Sequence, residues 1–156
     1  MISRTKLRWV LLGAMLVGVA AASVWAVWPR DRRPPRASAG KGVSSPELVD
    51  RWGINDLRVV RTAAGHLLDF RYHVVDAVKA AAVQKREARP YLVDLKSGRR
   101  LAVPTTPKAG ALWNHGQVKP GRTYFALFSN PGRAVQRGDR VSVVIDKFMA
   151  SDLLVE

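Results

Sequence analysis

Residues 9–28 carry no charged side chain, and this run constrains the chain more than any other feature. It begins and ends on tryptophan. Arg4, Lys6 and Arg8 precede it, and Arg30, Arg32, Arg33, Arg36 and Lys41 follow it. A helix needs about 20 apolar residues to cross the hydrocarbon core of a bilayer, which is the length of this run. Tryptophan collects at the headgroup level, which fits Trp9 at one margin and Trp25 and Trp28 at the other. The sequence therefore predicts a basic tail over residues 1–8 and a single-pass transmembrane signal anchor over residues 9–28. Whatever follows is held at a membrane surface.

A cleaved signal peptide is the competing reading. Residues 1–8 supply a basic n-region, and Ala20-Ala21-Ala22 or Val24-Trp25-Ala26 supplies small residues for cleavage. The anchor is favoured because the run continues past the first site and Trp-Ala-Val-Trp is a poor flank for cleavage. Ala14, Gly18 and Ala22 have the spacing of a helix-packing face in membranes, but small residues are ordinary in an alanine-rich helix. A strict count of basic residues slightly favours a cytoplasmic C-terminal flank. Against it, a short basic tail running straight into an apolar segment has the form of an export signal. We expect the inner membrane, with the C-terminal domain on the periplasmic side.

The net charge of +14 is unevenly spread. Eight of the 26 basic and one of the 12 acidic residues precede Gly42, which leaves 18 and 11 for the rest, a balance of +7. Much of the excess thus flanks the membrane segment, where lipid phosphates are the anions at hand. Nucleic acid is not expected as a partner, because the aromatic residues form no RNA-binding motif. The absence of cysteine excludes disulfides, thiolate metal sites and a cysteine nucleophile.

Residues 29–43 read as a basic Pro/Gly linker with no apolar periodicity. The domain is placed at residues 44–156. Ser45 can cap a short helix, Pro46 suits its first position and Gly53 can end it. Its Leu48, Val49 and Trp52 fall on one side. Strand patterns follow at residues 57–62 and 66–75. In the second, Leu68, Phe70, Tyr72 and Val74 share one face, and Leu67, Asp69, Arg71 and His73 the other. Asp76 can cap a helical turn over residues 77–82, and residues 85–89 look solvated.

Further strands are predicted at 91–95 and 100–103, joined by a hairpin with Gly98 at the positive-φ position. A long loop spans 104–118. Lys119-Pro120-Gly121-Arg122 and Ser129-Asn130-Pro131-Gly132 are type II turn candidates. Residues 123–128 between them are apolar on both faces, which predicts a central strand. Gln136-Arg137-Gly138-Asp139 is a turn before a strand at 141–145, and residues 153–155 close the sheet. The expected core comprises Phe70, Tyr72, Phe125, Leu127, Val143 and Ile145. About seven short strands between Pro/Gly/Asn turns predict a mainly β chain, an antiparallel Ig-like β-sandwich after the N-terminal helix.

Four stretches carry a resemblance: Leu68-Asp69-Phe70-Arg71-Tyr72, residues 90–94, residues 122–132 and Val143-Val144-Ile145-Asp146. With the N-terminal run, the chain resembles uncharacterised bacterial membrane-anchored envelope proteins with a small β-sandwich domain. The resemblance spans roughly residues 50–156. It implies a fold and a location, and it transfers no functional residue.

No catalytic motif is present: there is no G-x-S-x-G, S-x-x-K or H-E-x-x-H. Asp69 and His73, four apart on one strand face, lie about 13 Å apart, too far for a dyad. Of the three histidines, His66 and His73 have an odd spacing and point to opposite faces, and nothing places His115 or Met149 beside either. No catalytic residue, metal site or cofactor is predicted. Arg137-Gly138-Asp139 matches an adhesion tripeptide, but Gly-Asp is ordinary hairpin chemistry.

What remains is surface recognition. Arg99, Arg100, Lys119, Arg122, Arg133, Arg137 and Arg140 lie at or beside predicted turns, and strand-end turns cluster at the ends of a sandwich. They form a candidate basic rim for anionic lipid headgroups or an acidic partner, set against the plain reading of dispersed solubilising charge. The expected function is a non-enzymatic, membrane-tethered accessory domain that supports a membrane or envelope protein complex. The alternative is a small-ligand or metal-binding envelope domain.

Overall fold

Ser45 and Gly53 bound the first element, as their residue types predict. The computed structural model describes residues 42–156, which belong to one unit, Ser38–Glu156. The basic tail, the apolar run and most of the linker lie outside the described residues. Among the described residues no helix is long and apolar enough to cross a membrane. Helix α1 (Pro46–Trp52) starts where the Ser45 hydroxyl accepts the Leu48 N–H at 3.2 Å. It stops at Gly53, whose φ of +64° suits glycine. The Gly53 carbonyl accepts N–H groups from Val75 and Asp76, and a Cβ at Gly53 would lie 2.5 Å from the Asp76 carbonyl oxygen. Only glycine fits both demands. Trp52 is half-buried and meets Phe148 edge-on at 5.4 Å.

The rest of the chain is mainly β. Strand β1 (Ile54–Thr62) turns into β2 (Leu67–Val74), and Asp76 caps α2 (Ala77–Ala80), which tightens into a 3-10 turn over Ala81–Gln84. There follow β3 (Tyr91–Asp94), β4 (Arg100–Ala102), β5 (Thr105–Thr106) and β6 (Gly110–Ala111). The chain ends with β7 (Thr123–Ser129), β8 (Arg140–Ile145) and β9 (Phe148–Leu154). The strands form antiparallel sheets in the orders β1-β2-β7 and β4-β3-β8-β9, with β5-β6 a small ribbon.

One core lies between the two larger sheets. Leu68, Phe70, Tyr72 and Val74 are all buried, as the alternation in β2 predicts. They face Leu92, Val141, Val143, Ile145, Phe148 and Leu153 from the second sheet within the same cluster. After β9 the chain leaves that sheet: Val155 bridges Val59 in parallel, and Glu156 exchanges backbone hydrogen bonds with Val59 and Arg61. At the other end of the domain sequence, Val43 bridges Leu57, so the last linker residue by sequence is already paired to β1.

Two expectations for β7 are corrected. Phe125 is 38% exposed and Leu127 is only half-buried, whereas Ala126 and Phe128 are in the core. Register decides this. Leu68 pairs with Phe128 and Phe70 with Ala126, so the even-numbered residues of β7 follow the buried face of β2. The strand is also not central, because it ends the three-stranded sheet. Its far edge is closed by the predicted loop. Asn114 N–H donates to Phe125 O and Leu127 N–H donates to Leu112 O, both at 2.9 Å, and Asn114 Oδ1 accepts Phe125 N–H at 2.8 Å. A strand apolar on both faces therefore sits at an edge whose backbone is satisfied by residues 112–114.

Candidate interaction surface

The antiparallel pairing sorts the seven candidate basic residues between the two ends of the domain. Thr62, Leu67 and Ser129 meet at one end of the first sheet, and Asp94, Arg140 and Leu154 at the matching end of the second. The Val59–Val155 bridge and the Glu156–Arg61 hydrogen bond join these ends. Arg99, Arg100, Arg133, Arg137 and Arg140 lie here. Lys119 and Arg122 do not. Val74 N–H donates to Arg122 O and Gly121 N–H to Val74 O, which places that turn at the far end of β2.

The arginine end is built on one buried amide. Asn130 is 1% exposed, and its Nδ2 donates to Gly65 O and Val135 O at 2.9 Å while its Oδ1 accepts Val135 N–H at 3.0 Å. The side chain thus ties the β1–β2 turn to the β7–β8 connection. In the sequence alone Asn130 is marked only as a turn residue. Asn130 carbonyl also accepts Arg133 N–H across Pro131-Gly132, which closes the turn that Pro-Gly predicts. Gly65 takes a φ of +87° here, which strains a residue with a Cβ.

With their backbones held this way, the arginine side chains are exposed. Arg140 pairs with Asp152 at 2.7 Å. The Arg100 guanidinium lies 4.8 Å above the Tyr91 ring. Lys96, Arg99, Arg133 and Arg137 have no carboxylate partner within 4.0 Å among the described residues.

The outer face of the four-stranded sheet continues from this end. Side chains alternate along a strand, so residues paired across it share a face. Val141, Leu153 and Asp94 are buried, and their neighbours Arg140, Leu154 and Leu95 point out in one row across β8, β9 and the end of β3. Leu95 is 49% and Leu154 51% exposed. Further along, Ala102, Tyr91, Val144 and Met149 form an apolar row across all four strands.

At the other end, polar groups serve the structure. The Tyr72 hydroxyl accepts from Gln84 Nε2 at 3.0 Å, and both residues are buried. Burial pushes the Tyr72 hydroxyl well above its ordinary pKa; the Gln84 hydrogen bond opposes this, and Tyr124, whose ring stacks on it at 6.1 Å, adds to it. Tyr124 in turn accepts Lys119 N–H at 2.8 Å.

The histidines are dispersed. His66 precedes β2, His73 lies 3.4 Å from Thr123 Oγ1 on the outer face, and His115 contacts the Trp113 carbonyl at 3.2 Å. Among the described residues no group of three His, Cys, Asp or Glu side chains is arranged to hold a metal ion. Asp69 is taken by Arg71, at 2.7 Å; that hydrogen bond and charge raise the Arg71 pKa against a smaller opposing effect of burial. The chain matches no protein-family model, no curated protein and no solved structure.

Proposed function

We propose that this chain is a non-enzymatic accessory domain of the bacterial envelope. A single-pass anchor tethers it to the inner membrane, the domain lies on the periplasmic side, and it supports a membrane protein complex by contact. This is the kind of protein its sequence resembles. The fold reading that goes with it is an Ig-like sandwich. If the seven strands of three residues or more are lettered A to G, the sheets read A-B-E and D-C-F-G. That order supports a Greek-key sandwich in which the fourth strand joins the second sheet rather than the first.

The observation that carries the functional reading is the row Ala102–Tyr91–Val144–Met149. It is apolar, lies on the outer face of a sheet and is bordered by Arg100, whose guanidinium covers the Tyr91 ring, with Arg140 two rows further along. An exposed apolar stripe rimmed by charge is the form of a protein-binding surface. The arginines select a partner with acidic groups around an apolar centre. The test is a photocrosslinking residue placed at Met149 in the full chain in native membranes, with Val78, 88% exposed on α2, as the control. One discrete adduct with a membrane protein from position 149 alone is the expected result. No adduct, or the same adducts from both positions, would reject the surface.

A further inference from the structure

We infer that the arginine end of the domain is a docking surface for anionic phospholipid headgroups. Six exposed basic side chains gather there: Lys96, Arg99, Arg100, Arg133, Arg137 and Arg140. Of the carboxylates at that end, only Asp152 is exposed, and it is committed to Arg140. Asp94 is buried under its own turn, where it accepts from Lys96 N–H and the Ser97 hydroxyl. Asp139 accepts Gln136 N–H at 2.7 Å, and Glu156 is drawn against β1 by its backbone. The positive charge is therefore outermost.

Charge alone fits an acidic protein as well. The second observation separates them. Leu95 and Leu154 flank Arg140 in one outward row at this same end, each about half exposed. The Leu95 N–H donates to Arg140 O at 3.1 Å, so the row is fixed by strand pairing and not by loop conformation. Two aliphatic side chains level with several guanidinium groups match a bilayer surface, which presents phosphate above an apolar layer. Arginine suits this position because its stem covers apolar surface while its head meets phosphate.

The proposal rests on the tethered reading for its setting. Val43 is paired to β1, so the tether is residues 29–41; 13 residues fully extended span at most about 45 Å, which permits this end to reach the bilayer. The lipid is named by its chemistry: a phosphate-bearing headgroup with net negative charge.

The chain has no cysteine, so a single introduced thiol labels one place. The full chain is reconstituted in vesicles of phosphatidylcholine, with or without phosphatidylglycerol. A fluorophore sits at A134C beside Arg133, or at V78C on α2 at the opposite end. Headgroup-spin-labelled lipid then reports proximity by quenching. Quenching at position 134 is expected only with phosphatidylglycerol present, and it falls to the phosphatidylcholine level in about 0.5 M salt. Position 78 stays unquenched in both. Replacing Arg99→Gln with Arg137→Gln lowers the quenching at position 134 several-fold. Leu95→Ser with Leu154→Ser lowers it without changing charge, which purely electrostatic attraction would not do.

Equal quenching at position 134 in the two vesicle types, or approach of position 78 instead, overturns the proposal. So does a response at position 134 to polyglutamate and not to anionic vesicles, which assigns this end to an acidic protein. Vesicles contain no partner protein, so failure here leaves the crosslinking result at Met149 unaffected, and the reverse also holds.

Discussion

The two ends of this domain solve the same problem with opposite materials. Both must close a two-sheet core where the strands run out. The arginine end uses tight turns and one buried amide, Asn130, that satisfies three backbone groups. Its basic side chains take little part in the closure and remain outside, while Asp94 and Asp139 accept backbone N–H groups of the turns. The other end uses α1, α2 and the segment 112–118, and it consumes its polar side chains. Asp76 caps α2, Gln84 reaches Tyr72 and the Tyr124 hydroxyl receives Lys119 N–H. Both ends use side chains for closure, but at the arginine end those are Asn130 and two aspartates, so its basic side chains stay outside. Five of the seven candidate basic residues fall at that end.

Strand β7 runs between the two ends and sets the scale. Phe128→Ala is expected to cost about 3–5 kcal/mol, the loss for a fully buried phenylalanine. Phe125→Ala should cost about 1–2 kcal/mol, because a good part of that ring is already in water. Equal costs in chemical unfolding would show that the β2–β7 register is wrong.

Asn130→Ala probes the arginine end directly. It strands Gly65 O, Val135 O and Val135 N–H, and the expected loss is about 3 kcal/mol. A change below about 0.5 kcal/mol would mean that water replaces the amide and that this end is not closed as described.

The other end is sharpened by Tyr72→Phe. Removing a hydroxyl that serves one buried amide should cost about 1 kcal/mol. Its titration has a definite sign. Burial penalises the phenolate in the folded state, so stability is unaffected below about pH 10 and falls as pH rises from there through the elevated native value. Absorbance of phenolate against pH should show one tyrosine ionising late, absent in Tyr72→Phe. A full set of ordinary titrations in the folded protein would contradict its burial.

The smallest effect tests strain. Ala63 and Ala64 both have positive φ, 49° and 52°, in the turn that Asn130 holds. Ala64→Gly should leave stability unchanged or raise it by up to about 1 kcal/mol, since glycine takes that conformation without a Cβ clash. A loss would show that the methyl group packs in a way the backbone does not reveal.

Much of the fold was legible because local chemistry leaves little choice. Ser45, Pro46 and Gly53 act within one helix and need no distant partner. The alternation in residues 67–74 names the buried face of β2 wherever that strand lies. Gly98, Gly121 and Gly132 take the positive φ that their turns demand. Residues 123–128 were a different case. With apolar side chains on both faces, their pattern carried no sign of which face is inside, and pairing with β2 chose for them. The sequence predicts only residues 153–155 for the last strand, because Ser151 and Asp152 interrupt its apolar pattern at a bulge where Asp152 has φ +61°.

The sequence by itself determined the apolar run and its basic flanks, the turn positions, and the arginines beside them. These depend on residue type and on separations of a few residues. It could not determine that five of the seven candidate basic residues share one end while Lys119 and Arg122 sit at the other, nor that Leu95 and Leu154 flank Arg140. Those facts follow from which strands pair, in what register and in which direction. Pairing joins residues tens of positions apart, and its outcome depends on burying one core between two sheets, so only the tertiary structure decided them.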